Sequence, residues 1–268
     1  MPDEVRGPRA CLVLRLAGPL QSWGGQSRYN RRDTATEPTK SGIVGLLAAA
    51  AGRARGADIA DLAALRIGVR TDEPGSLLRD FHSVSDFRGR PLPSAAVNSR
   101  GVQKNSMLGD RPKRHHITKR FYLQDAVFVA ALCGDLWLLD TLWRALRCPA
   151  YPLALGRRSC PPTLPLLLAG PEGRLWSGIP ETVLTSVPWQ PGTSRRWTTE
   201  SPAPAHRLLP VVVDDPDGPE IRGDLPVSFA PQDRRFAPRT VRRMLVAAPT
   251  LIDGAVETAP PAWFTLLD

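Results

Sequence analysis

The stretch ACLVLRLAGPLQSWGGQSRYNRRDTATEPTKSGIVGLLAAAAGR, residues 10–53, holds a strand, a loop and a helix in that order. Ala10–Leu16 is apolar at every position but Arg15, the pattern of a short buried strand. Gly18-Pro19 ends it, because proline has no N–H to give to a ladder. The loop that follows is polar and carries Gln21, Ser22, Trp23, Arg28, Tyr29, Arg31 and Arg32. Thr39 or Ser41 can then cap a compact helix, IVGLLAAAA, with small residues on its surface.

Working outward, Leu65–Arg70 and Asp125–Cys133 are further strand candidates. Leu136–Arg147, LWLLDTLWRALR, is an amphipathic helix ending in basic residues, as the helix dipole favours, and Pro149 stops it. Thr163–Ala169 is expected as the next strand. Strand, helix, strand, insert, strand, helix, strand is the order of a split βαβ unit. The expected fold is therefore α+β with a ferredoxin-like domain over residues 10–170. The insert, residues 79–122, has no sustained period, and a loop that long inside a compact domain is usually functional or disordered. Residues 171–206 are Pro- and Trp-rich and receive no assignment. Arg207–Val213 and the MLVAA run at 244–248 read as strands, with a turn at Pro216-Asp217-Gly218. Residues 171–268 are thus expected as a Pro-rich connection and a small β-rich C-terminal part packed on the same domain. No internal repeat is present.

At 268 residues, the chain fits one large domain or two small ones, taking roughly 150 residues per domain as a prior. With 42% hydrophobic and 23% charged residues it is not a disordered chain. Its 28 prolines favour loops and extended segments over a mostly helical fold. The 35 basic residues outweigh 26 acidic ones, giving a net charge of +9, and 31 of the 35 are arginine. Arginine's planar fork suits phosphate, which fits a nucleic-acid partner. A GC-rich genome accounts for arginine over lysine, but not for the net charge or its clustering. Cys11, Cys133, Cys148 and Cys160 are widely spaced and form no CxxC, so neither a disulfide framework nor a zinc knuckle is expected. The polar start, MPDEVRGPRA, lacks the apolar core of a secretory signal, and no apolar run reaches the ~18 residues that cross a bilayer. A soluble, reduced, cytoplasmic protein without a membrane partner is the expectation.

Four constellations bear on chemistry. At the start of the first helix, backbone amides, Lys40, Ser41 and Gly42 could receive a phosphate, beside Gln21, Ser22 and Trp23 of the preceding loop. Equally, the helix is merely capped and its glycines pack on the sheet. No GxxxxGK[ST] is present, so nucleotide hydrolysis has no support. Within the insert, seven Arg or Lys against one acid lie between Arg100 and Arg120, interleaved with His115, His116, Phe121 and Tyr122. Cations there could grip a single strand while aromatic faces stack on bases, with Met107 and Leu108 as an apolar wedge. The bland alternative is a solvated loop. Thirdly, Arg157 and Arg158 beside Gly156 in LGRRSCPP make a compact phosphate clamp, unless they pair with acids elsewhere. Cys160 has no supporting base in the sequence near it and reads as structural. Lys113, His115, His116 and Tyr122 could in principle cleave RNA without a metal. No HExxH, paired-carboxylate pattern or Cys/His metal spacing occurs, and no cofactor is expected.

The blocks RLAGPLQSWG (15–24) and PTKSGIVGLL (38–47) together resemble the N-terminal signature of the CasD-type subunits of the type I-E CRISPR complex Cascade, members of the RAMP superfamily. ITKRFYLQDAVFVAAL, YPLALGRRSCPPTLPL and DLPVSFAPQDRRFAPRTVRRMLV agree in order, so the resemblance spans about residues 11–246. It implies a modified ferredoxin-like (RRM-like) domain and a β-hairpin thumb in place of the 79–122 insert. It also implies a non-catalytic subunit in antiviral defence that holds the 5′ handle of the CRISPR RNA. Such a subunit caps the Cascade backbone subunits, contacts the large PAM-reading subunit, and meets target DNA only within the complex. Carried over block by block, the handle would lie on Gln21, Ser22, Trp23, Lys40, Ser41, Gly42, Arg157, Arg158 and Ser159, with Met107, Arg111, Lys113 and Arg114 of the thumb against the RNA. Type I-C relatives cut repeat RNA with a Tyr, Lys and His set, so a metal-independent endoribonuclease is the alternative that KRHH (113–116) keeps open.

Overall fold

The computed structural model describes residues 10–24, 30–85, 88, 115–192 and 204–250. Along the chain these form β1 (Ala10–Ala17), β2 (Leu20–Gln21), β3 (Arg31–Arg32), α1 (Lys40–Ala50), α2 (Ala60–Ala63), β4 (Arg66–Glu73), β5 (Ser76–Ser85) and β6 (His115–Gln124). Then follow β7 (Val127–Cys133), α3 (Leu136–Arg147), β8 (Leu167–Leu168), β9 (Trp176–Ser177), α4 (Pro180–Ser186), β10 (His206–Asp214), β11 (Glu220–Ser228) and β12 (Arg235–Pro249). The result is a mixed α/β fold, rich in strands.

The main sheet runs β11-β12-β10-β4-β7-β1-β8, with β9 also pairing β1. Its central pairs, β4·β7 and β7·β1, are antiparallel, as is β1·β8. Both faces of its centre are covered, which explains the nearly unbroken apolar run of β1. Leu12, Leu14 and Leu16 face the layer of α1 and α3, while Cys11 and Val13 face the cluster under α4. Thr39 caps α1, its Oγ1 accepting from Gly42 N at 3.2 Å, and Asp135 caps α3 by accepting from Leu138 N at 3.0 Å. Arg144 and Arg147 close α3 where carbonyl dipoles attract cations.

Three segments depart from the sequence expectations. Thr163–Ala169 pairs as a strand only over Leu167–Leu168, because Pro161, Pro162 and Pro165 interrupt the donors a longer ladder needs. The flanks of the 79–122 insert, which showed no sustained period but which the resemblance implies as a β-hairpin, are long strands: β5 and β6 pair antiparallel from Ser76↔Gln124 to Ser85↔His115. They stand in a second sheet with β2 and β3. Their apolar alternation is masked because both faces of β5 carry polar as well as apolar side chains and stay exposed. Within the unassigned 171–206 stretch, α4 packs over β4, β7 and β10 and seals the second face of the main sheet.

Arg70 holds α4 in place. Its guanidinium is fully buried against Asp72, at 2.7 and 2.8 Å, and donates to the carbonyls of Leu184, Val187 (2.6 Å) and Pro188 (3.0 Å). Those are carbonyls at the end of α4, which would otherwise be buried without donors. Asp72 also accepts Gln190 N at 2.7 Å. Burial pushes the Asp72 carboxyl up, against the pull of Arg70.

The expectation of four reduced cysteines is overturned for one pair. Cys11 and Cys133 face each other across β1 and β7, with Cα atoms 4.2 Å apart and their sulfurs bonded. Antiparallel register, not sequence spacing, brings them together. Among the described residues no helix is long and apolar enough to cross a membrane.

Candidate nucleic-acid interface

Three sequence blocks that are far apart in the chain meet at one corner. The loop after β1 turns back so that Gln21 is fully buried, its Nε2 donating to Leu16 O (3.0 Å) and Ala126 O (2.7 Å). Gln21 Oε1 accepts from Trp23 Nε1 at 3.0 Å, and the Trp23 backbone is bracketed by Thr34 Oγ1 (2.9 Å) and Ala35 N (2.8 Å). Gly42 of α1 lies on the Trp23 ring, so close that a Cβ there would sit 2.7 Å from the ring. The 155–160 turn then closes on the same loop: Ser22 N donates to Leu155 O at 3.0 Å, and Leu155 N to Cys160 O at 2.7 Å. Gly156 adopts φ +86°, and a Cβ on it would fall 1.8 Å from Ser22 O.

Arg157 is held within this corner. It donates to Phe121 O (3.0 Å), Arg32 O (2.7 Å) and Asp33 O (3.3 Å), and its guanidinium covers the Tyr122 ring at 4.8 Å. Ser22 Oγ donates to the same Phe121 carbonyl at 3.1 Å. Arg157 therefore ties the 155–160 turn to β3 and β6, and its neighbours Arg158 and Ser159 are left exposed.

Lys40 sits differently. It is 6% exposed, and its Nζ donates to Asp214 Oδ2 (2.8 Å) and Leu65 O (2.9 Å). Its backbone N–H donates to Asp224 Oδ2 at 2.8 Å, so a carboxylate of this chain already occupies that amide of α1. Arg239 completes the cluster, paired with Asp214 and, at 2.6 Å, with Asp224. Burial alone would raise the Asp224 carboxyl; the hydrogen bond and charge of Arg239, with the Lys40 N–H, carry it below its ordinary value. Ser41 is buried in the same turn, its Oγ 3.3 Å from Thr39 Oγ1. So Gln21, Ser22, Trp23, Gly42 and Arg157 come together, while the Lys40 side chain points into a separate charged cluster. Met107, Arg111, Lys113 and Arg114 lie outside the described residues, as do the side chains of His115 and His116.

The sheet beside the corner carries Lys119 and Phe121 of the expected cation and aromatic run, and adds Arg31, Arg79 and Phe81, which were not expected as its partners. β6 alternates Ile117, Lys119, Phe121 and Leu123 on one face, and β3 places Arg31 opposite Lys119. The Arg31 guanidinium lies 4.9 Å from the Phe121 ring centroid, with its side chain 69% exposed. Across the ladder, Phe81 opposes Lys119 and Arg79 opposes Phe121; Phe81 is 65% exposed. Cations and aromatic rings interleaved on one exposed face are a surface that phosphates and unstacked bases can share. The interleaved charge and aromatic content of ITKRFYL was legible in the sequence; its two-residue period, and the β5 and β3 residues that share its face, were not.

Cys160 is buried, and burial pushes its thiol up, so it is a packed sulfur and no nucleophile. Tyr122 is 5% exposed and covered by Arg157, which leaves its hydroxyl ill placed for acid–base work on a large substrate. No cluster of metal-ligating side chains occurs among the described residues.

The scaffold that presents this basic, aromatic sheet face is a strand-rich, mixed α/β fold. The sequence matches the model of the family described as CRISPR-associated protein (Cas_Cas5) over residues 11–242, and the chain belongs to that family. It is 36% identical, over 179 residues, to the CRISPR system Cascade subunit CasD of Escherichia coli (strain K12), covering 60% of this chain and 70% of that protein. Among solved structures, a chain of a CRISPR RNA-guided surveillance complex superposes with a TM-score of 0.72 at 32% identity, covering 95% of this chain and 98% of that one. A crystal structure of a Cas protein gives a TM-score of 0.63 at 35% identity, covering 90% and 98%.

Proposed function

We propose that this protein is a non-catalytic CRISPR RNA-binding subunit of a type I-E Cascade surveillance complex. It holds the 5′ handle of the guide RNA, caps the backbone filament and lies next to the large PAM-reading subunit. The observation that carries the proposal is the exposed sheet face on which Arg31 and Lys119 interleave with the rings of Phe81 and Phe121. Beside it, at the corner, Arg157 ties the turn that carries the exposed Arg158 and Ser159 to β3 and β6. Gln21, Ser22, Trp23, Gly42 and Arg157 shape that corner, and Lys40 and Ser41 anchor the helix behind it. The same reading assigns RNA contacts to Met107, Arg111, Lys113 and Arg114, which lie outside the described residues. The strand order β4-β7-β1-β8, crossed by α1 and α3, supports a ferredoxin-like, RRM-like core. In this reading the described part of residues 171–250 packs on the same domain, since β9 and β10 join its sheet.

Filter binding with guide RNA carrying its handle tests the proposal. Arg158→Ala combined with Lys119→Ala should weaken binding and lower the salt slope by about 0.7 for each lost phosphate contact. Unchanged affinity and slope in a folded double variant would overturn the assignment of the surface. Incubation with repeat RNA in EDTA addresses the absence of catalysis: the RNA should stay intact, and cleavage abolished by His115→Ala or His116→Ala would establish the endoribonuclease instead.

A further inference from the structure

One pair of reactive groups lies outside the corner described above. Cys11 opens β1 and Cys133 closes β7, and the bond between their sulfurs closes a sequence separation of 122 residues. Cys11 is fully buried, with its Sγ 3.4 Å from Gly178 O just before α4. Cys133 packs against the same apolar cluster but is only partly buried. The other two cysteines are free, Cys148 exposed and Cys160 buried. The bonded pair also lies at the opposite end of β1 from Ala17↔Val127, where the chain turns into the Gln21–Trp23 loop.

We propose that Cys11 and Cys133 form a reversible redox staple across the two central strands, opened and closed at the Cys133 sulfur by exchange with a low-molecular-weight disulfide such as oxidised glutathione. In closure, the Cys133 thiolate attacks one sulfur of the small disulfide and expels one thiolate, leaving a mixed disulfide. The Cys11 thiolate then attacks the Cys133 sulfur and expels the second. Two cysteines are oxidised, one small disulfide is reduced to two thiols, and the two protein protons end on those thiols. Reduction runs the same steps backward. The strands remain paired by their ladder in both states, so the staple acts on the unfolded chain, whose freedom it restricts. Its redox state sets the stability of the subunit and leaves the distant RNA-facing corner unchanged.

The test uses the full chain equilibrated natively in glutathione buffers of stepped ratio. After alkylation, the oxidised protein should show two free thiols where the reduced protein shows four, and digestion should yield a Cys11–Cys133 linked peptide lighter by two hydrogens. Its melting midpoint should exceed that of the reduced protein by roughly 5 °C or more. Cys133→Ala and Cys148→Ala serve as a pair: the first should lose the redox dependence of melting, the second should keep it. Should Cys133→Ala fail to fold, the thiol count and linked peptide of the unaltered chain still decide. Four free thiols under oxidising buffer, or a linked pair whose reduction leaves melting unchanged, would overturn the proposal. RNA binding should match in both redox states; a difference would refute the claim that the staple is insulated from the corner, without bearing on where RNA binds.

Discussion

A methyl group added at residue 156 would meet the Ser22 carbonyl oxygen at 1.8 Å, in a backbone conformation, φ +86°, that side chains rarely adopt. Gly156→Ala should therefore cost at least about 2 kcal/mol, read as a lower denaturant midpoint at unchanged slope. The arginines beside it divide their labour. Arg157 spends its donors on three backbone carbonyls, so Arg157→Ala should loosen the turn and weaken RNA binding indirectly, whereas Arg158→Ala should act on affinity alone. Circular dichroism melts on the two single variants separate the cases. Arg70 is the counterpart in the second core. Arg70→Met strands the Asp72 carboxylate and the α4 carbonyls in a buried site, and an uncompensated buried partner costs about 3–5 kcal/mol.

Helix α1 shows how an element is held by distant chain. Its first amide and its lysine are taken by Asp224 and Asp214, 184 and 174 residues away, the one on the edge strand β11 and the other at the end of β10, two strands in. This cluster makes stability depend on pH with a definite sign. The Asp224 carboxyl is held below its ordinary value, so its contribution is present above the carboxylate range of about pH 4 and is lost as pH falls toward the folded value. Urea unfolding should accordingly weaken below about pH 4, and Asp224→Asn should flatten that part of the profile while lowering stability at pH 7. Lys40→Met should destabilise the protein in the same way yet leave the salt slope of RNA binding unaltered, because its ammonium faces Asp214 and not the exposed corner. A salt slope that falls by one phosphate contact in Lys40→Met would place that lysine on the RNA.

For the whole molecule, local pattern and long-range register divide the information. By themselves, the apolar runs of residues 10–16 and 125–133, the 3.6-residue period of 136–147 and a cap at Thr39 or Ser41 determined the strands and helices of the core, since each depends on neighbours a turn or less away. The blocks RLAGPLQSWG, PTKSG and LGRRSCPP also marked the corner, because tight turns and close approaches demand particular residues. Only the tertiary structure decided what each polar side chain does. Lys40 and Gln21 read as candidate ligands until register and sheet order supplied Asp214 for the one and the Leu16 and Ala126 carbonyls for the other. The same holds for Cys11 and Cys133, for β5 and β6, and for the exposed face of Arg31, Phe81 and Lys119. Helical and strand periods are written over a few consecutive residues, whereas burial, pairing and charge compensation belong to residues that only the closed sheet brings within a few ångströms.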